Sequence, residues 1–129
     1  MEKNIGIWLD LDQAIIIENG KKSIHRIPSE VEHFHLLGGT KGGGLPGTSD
    51  TKLLQRKKNQ LKRYFENIIK EIPGADNIVL FGPAETKIAF KKEIEQSNGM
   101  RSKLHGIETT DSNISENQLL EWVRDYYSQ

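Results

Sequence analysis

Three groupings of side chains in this 129-residue chain have the types and spacing for chemistry. Asp10 and Asp12 stand two apart, just after a short apolar run. Two-metal catalysis needs several carboxylates converging on divalent cations. Glu85 and Asp111 follow later apolar runs and are the candidate partners. The plainer reading is turn chemistry, because Asp bonds backbone N–H groups close ahead of it. His33 and His35 would share one face of any strand through residues 31–36. A His-x-His pair starts a transition-metal set but needs further ligands, and His25 is the candidate third. Its plainer reading is a pair of solvent-facing histidines on an edge strand. The third grouping is glycine-rich. Residues 38–49 hold six of the twelve glycines and lead into a base-rich segment. Exposed N–H groups of Gly42, Gly43 and Gly44, the charge of Lys41, and the positive end of a following helix would favour an anion. This is not a Walker loop, because Gly-Lys-Ser/Thr is absent. Gly82-Pro83 would suit an anion too, although a helix start explains it.

Charge sharpens the third grouping. Lys plus Arg and Asp plus Glu are both 18, so the net charge is zero. The charges are not evenly spread. Residues 38–70 carry Lys41, Lys52, Arg56, Lys57, Lys58, Lys62, Arg63 and Lys70 against only Asp50 and Glu66. Residues 107–129 carry Arg124 alone against five acids. Such a polar molecule offers one face to anions. No aromatic residue interleaves with the bases before Tyr64. Recognition by shape and backbone is therefore expected there, rather than base readout. The chain has no cysteine, which excludes disulfides, thiol catalysis and Cys-ligated zinc. No apolar run reaches the roughly 20 residues of a membrane span, and the start lacks a secretory signal. A cytoplasmic protein without a membrane partner is expected.

The elements that must position these residues follow from periodicity. Ile5, Ile7 and Leu9 alternate in a first strand over 4–9. A β-branched run at 14–18 makes the second strand, Asn19-Gly20 a hairpin turn, and 22–27 the third. Residues 31–36 extend the edge. The glycine segment 38–49 reads as a flexible loop. Leu54, Leu61, Phe65, Ile68, Ile69 and Ile72 form one stripe of a long helix over 51–72, stopped by Pro73-Gly74. Residues 78–81 are a strand apolar on both faces. Pro83 opens a helix to about 97, with Glu85 in its first turn. Residues 104–109 are the last strand. Ser115 and Gln118 match a capping box for a final helix. Trp8, Phe65, Phe81 and Trp122 are read as core, and Tyr126-Tyr127 as an exposed patch. The expectation is an α/β chain forming a single domain over 1–129. Its mixed sheet has an N-terminal β-meander followed by α-β-α-β-α.

This order resembles the central domain of the eukaryotic and archaeal class-1 peptide release factors and of pelota. It also resembles their small stand-alone bacterial relatives. The resemblance rests on the meander 4–36, the glycine loop 38–49, the basic helix 51–72 and the segment Ile78-Val-Leu-Phe-Gly-Pro-Ala-Glu-Thr-Lys87. It covers roughly residues 4–110. It implies a ribonuclease H-like, translational-machinery-component-like fold and a role in translation termination or ribosome rescue. One departure matters. The release factors carry Gly-Gly-Gln in the loop, whereas this chain has Gly38-Gly39-Thr40 and Gly43-Gly44-Leu45. Peptide release by that motif is not implied. Pelota also lacks it and acts by binding.

The resulting expectation is a non-catalytic RNA- or ribosome-binding domain with no cofactor. Its surface would be Lys41, Gly42, Gly43 and Gly44 with Lys52, Arg56, Lys57, Lys58, Lys62 and Arg63. The alternatives are a metal-dependent nuclease of ribonuclease H-like layout using Asp10 and Asp12, and a module that binds a protein partner through the loop.

Overall fold

The computed structural model describes residues 2–31, 49–83, 85–97 and 99–128, without the side chains of 49–51. The expected edge strand at 31–36, the glycine loop with Lys41, Gly42, Gly43 and Gly44, and the pair His33 and His35 lie outside the described residues, apart from Val31 and Ser49.

Five strands make one sheet. They are β1 (Asn4–Leu9), β2 (Gln13–Glu18), β3 (Ile24–Pro28), β4 (Asn77–Gly82) and β5 (Leu104–Thr109). The helices are α1 (Ser49–Lys70), α2 (Thr86–Gln96) and α3 (Glu116–Tyr127). The strand order is β3-β2-β1-β4-β5. β1, β2 and β3 pair antiparallel as a meander, while β1–β4 and β4–β5 pair parallel. The sheet is mixed, as the alternation of the sequence implies.

Side-chain alternation builds a core on each face. Ile5, Ile7, Leu9, Ala14, Ile16, Ile78 and Leu80 point to one side. There they meet Tyr64, Phe65, Ile68 and Ile72 of α1 and Phe90 and Ile94 of α2. Trp8, Ile15, Ile17 and Phe81 point to the other side, where Leu119 and Val123 of α3 cover them. Full burial of a residue such as Phe90 contributes roughly 1.5–3 kcal/mol. Helix α3 can lie close because Gly6 has no side chain. A Cβ there would stand 2.5 Å from Val123 Cγ2.

Helix α1 ends at Lys70 rather than 72 and β3 runs over 24–28 rather than 22–27, and three further details differ from the sequence expectation. The link between β2 and β3 runs over 19–23, longer than a two-residue turn, and Gly20 (φ 94°) supplies its left-handed residue. Helix α2 starts at Thr86, with Glu85 as its N-cap, so Pro83 is not its first helical residue. The reason is Gly82. Its φ of 151° takes the chain past β1 so tightly that a Cβ would lie 2.5 Å from the Leu9 carbonyl oxygen. Pro83 lies in the bend that follows. Finally, Leu54 is not core, being 58% exposed.

Candidate nucleic-acid interface

The exposure of Leu54 follows from the length of α1. Its 22 residues span about 33 Å at 1.5 Å per residue. A six-residue strand spans only about 20 Å. The C-terminal end of α1 sits by the start of the parallel strands, where the Asp76 N–H donates to the Lys3 carbonyl at 2.8 Å. At the other end of the sheet, the Tyr64 hydroxyl donates to the Asp10 carbonyl at 2.9 Å, just beyond β1. Leu61 still packs against the core, so it is residues 49–60 that run on past the carboxyl edge of the sheet, roughly 18 Å of helix.

The overhang and the turn of helix next to it carry the bases. Lys52, Arg56, Lys58, Lys62 and Arg63 are exposed, and Lys57 is half-buried. At about 100° per residue, Lys52, Arg56 and Arg63 fall within roughly 40° of one another. Lys62 flanks them. Lys57 and Lys58 turn toward the opposite side, beside the continuation of the apolar stripe through Leu54 and Leu61. Six bases thus surround the rod rather than sharing a single face. Arg56 and Gln60 also make further contacts. The arrangement suits a polyanion touched at several points. It offers no aromatic platform, because Tyr64 is fully buried.

Tyr64 is the residue that sequence reasoning missed. It follows the basic run directly and sits beside the expected stripe, yet its ring packs against Phe65 with centroids 5.6 Å apart. Burial raises the pKa of its phenol far above the usual value, and the nearby charges of Asp10 and then Asp12 add to the shift. The hydroxyl therefore stays a donor and ties the root of the overhang to the β1–β2 turn.

That turn also accounts for Asp10. Its Oδ1 accepts from the Asp12 N–H at 2.8 Å and the Gln13 N–H at 3.0 Å. The Ser29 hydroxyl donates to the Leu11 carbonyl, and the Ser29 N–H to the Asp12 carbonyl at 2.9 Å. Asp12 has contacts of its own. Parallel pairing brings the carboxyl ends of β1, β4 and β5 to one edge, with Asp10, Glu85 and Asp111 beyond them. Among the described residues, no three His, Cys, Asp or Glu side chains are close enough together to hold a metal. His25 pairs instead with Glu71, Nε2 to Oε1 at 3.3 Å. The Gly82-Pro83 turn serves the close passage over Leu9.

The aromatic residues of α3 correct another expectation. Tyr126 and Tyr127 are half-buried rather than an exposed patch. Tyr127 donates to the Ile5 carbonyl at 2.7 Å, and the Tyr126 hydroxyl lies 2.7 Å from His105 Nδ1. Trp122 is half-buried, stacked on Phe81 with centroids 3.9 Å apart and planes 6° from parallel.

With this geometry the chain can be set beside known proteins. It is similar in fold to Pelota. The Archaeoglobus fulgidus Pelota structure superposes with a TM-score of 0.55 over 95% of this chain, at 7% identity. An archaeal translation termination factor, aRF1, gives a TM-score of 0.49 over 97% of this chain, at 13% identity. The chain spans 31% of the Pelota structure and 39% of the aRF1 structure. No family model matches the chain, and neither does any curated protein. The similarity to Pelota runs through almost all of the described elements. It therefore extends past residue 110 to include α3, beyond the reach of the sequence resemblance.

Proposed function

We propose that this chain is a non-catalytic RNA- or ribosome-binding domain of the kind used in translation termination or ribosome rescue. The observation that carries the reading is the overhang of α1. Lys52, Arg56, Lys58, Lys62 and Arg63 are exposed and Lys57 is half-buried along a helix rooted by Tyr64. Bases placed this way neutralise phosphates and release condensed counterions, so binding weakens steeply with salt. They contact backbone rather than base edges, which positions a nucleic acid without reading its sequence. The fold similarity to Pelota supports the translation setting. The glycine segment with Lys41, Gly42, Gly43 and Gly44 continues into α1 and belongs to the same proposed surface. The nuclease reading gains no comparable support, because the Asp10 carboxylate is engaged with the turn's N–H groups.

Simultaneous charge reversal of Arg56, Lys57 and Arg63 to Glu tests the reading. Binding to purified ribosomes and to a structured RNA is expected to be lost at moderate salt, with an unchanged melting temperature. Unaltered binding by a folded variant would overturn it. A lost protein partner with retained RNA binding would favour the interaction-module alternative.

A further inference from the structure

The sheet ends in two edge strands, and the two are not alike. β3 carries Arg26 and closes on Pro28, and charge and proline are common ways of blunting an edge. β5 has no Lys, Arg or Pro in its six residues, Leu-His-Gly-Ile-Glu-Thr. Among the described residues no strand pairs with its outer side. Its register on β4 slips once. Ile78 pairs with Leu104 and Val79 with Gly106, so His105 is the extra residue of a bulge. From Gly106 to Thr109 the pairing is regular. A strand left open in this way is a template for another strand.

Alternation fixes which backbone groups this edge offers. The Thr110 N–H donates inward to the Gly82 carbonyl at 3.0 Å. Every second residue of a strand bonds the same neighbour, so Glu108 and Gly106 also bond toward β4. The N–H and C=O of Ile107 and Thr109, and the C=O of His105, therefore point outward. The side chains divide as well. Leu104, Ile107 and Met100 are half-buried on the side of α1 and α2. On the α3 side, the bulge brings His105 Nδ1 to 2.7 Å from the Tyr126 hydroxyl, which lies over Gly106. Whichever tautomer His105 holds, this pair keeps one unused donor. Glu108 is exposed on the same side, since it stands next to Phe81.

We propose that β5 is a self-association edge, which pairs antiparallel with β5 of a second copy about a twofold axis at Ile107. An axis normal to the sheet keeps each side chain on its own face and makes the contact reciprocal. Ile107 then opposes Ile107, Gly106 opposes Glu108, and His105 lies opposite Thr109. The two Ile107 residues exchange a pair of backbone hydrogen bonds, and each Thr109 N–H meets the His105 carbonyl of the other copy. On the side of α1 and α2 the two Ile107 side chains cover each other. On the α3 side, Glu108 of each copy faces the bare backbone of Gly106, beside the His105–Tyr126 pair with its unused donor. The two Glu108 residues are diagonal neighbours, about 7–8 Å apart, close to the screening length in physiological salt. Pairing about Gly106 would instead set Ile107 against the polar His105, so it is the poorer register. The contact joins the two sheets into one. It goes beyond the reading of α1 and uses none of the bases there.

Sedimentation of the full chain over a concentration series is the test. A reversible rise from the mass of one copy to that of two is expected. Thr109→Pro removes an outward N–H that a single copy does not use. It should weaken association about tenfold or more, the contribution of two hydrogen bonds. Glu108→Lys, at an exposed position, should weaken it as well and puts little burden on folding. The chain has no cysteine, so a single introduced one reads the register. Ile107→Cys sets two thiols across the axis at a Cα separation of about 5.5 Å, within disulfide range. Mild oxidation should give a covalent dimer. Thr109→Cys sets them about four residues apart along the strands, roughly 13 Å, and should give little. The mass of one copy at every concentration up to millimolar would overturn the proposal. So would full association by both folded variants, or crosslinking through position 109 as readily as through 107. The Arg56, Lys57 and Arg63 reversal should associate like the wild type, whatever becomes of its RNA binding. Loss of the dimer in that folded variant would overturn the assignment to β5.

Discussion

Tyr64 carries more than its ring. A phenol wholly out of water needs a partner, and the carbonyl of Asp10 supplies it. Tyr64→Phe keeps the packing and orphans that carbonyl, so denaturant melts should show a loss of about 1–2 kcal/mol. The variant should also bind RNA more weakly, because the root of the overhang loosens. Alkaline stability follows from the same residue. An unfolded tyrosine ionises near 10. Burial, then the charges of Asp10 and Asp12, raise the folded-state value above that. Burial and the neighbouring Tyr126 do the same for Tyr127. Above pH of about 10 the unfolded chain releases protons that the folded chain keeps. Stability should therefore be flat with respect to these groups below about pH 10 and fall steadily above it. A melting temperature that held constant to pH 12 would contradict this. None of it was legible in the sequence. Tyr64 follows a run of bases, and its role depends on a turn 54 residues away. The acids at Asp10 and Asp12 were legible as turn formers, and the backbone hydrogen bonds of Asp10 bear that reading out.

Elements were easier to read than residues. The strands at 4–9 and 104–109 fall at their expected bounds, because alternation and flanking turn residues agree there. The capping box of α3 is present in both directions, Ser115 to the Gln118 N–H and Gln118 to the Ser115 N–H. Ser115→Ala should cost about 1 kcal/mol in a thermal or denaturant melt. The start of α2 was misplaced for a tertiary reason. Pro83 suits a first helical turn locally, but Gly82 must first carry the backbone over Leu9. The misreading of Leu54 is instructive. Its spacing fits the stripe, yet a stripe records only direction around a helix and not how far the sheet beneath extends. The helix outruns its support at about Leu61, and the same mismatch lifts the bases into solvent. Two prolines placed at Lys58 and Lys62 should break this overhang. Each removes a helix interior hydrogen bond at about 3 kcal/mol or more locally, and RNA binding should fall while the sheet persists.

At the scale of the molecule, one edge collects the features that matter. The carboxyl ends of β1, β4 and β5 and the rooted overhang of α1 lie there together. The acids of α3, Glu116, Glu121 and Asp125, are exposed on the far face of the sheet from α1. A polyanion is therefore steered toward α1 and away from α3. The edge depends on close passage of β4 over β1. Gly82→Ala would push a methyl group into the Leu9 carbonyl at a φ that side chains rarely adopt. It should either prevent folding or lower the melting temperature by many degrees. The central claim is that the overhang of α1 holds RNA by its phosphates. Its most direct test is the affinity of the full chain for a structured RNA across a salt series. If four to six of the bases at 52–63 engage phosphates, the logarithm of affinity should fall against the logarithm of salt with a slope of roughly −3 to −5. The Arg56, Lys57 and Arg63 reversal should bring that slope close to zero. A wild-type slope near zero, or an equal slope in the folded variant, would contradict the claim.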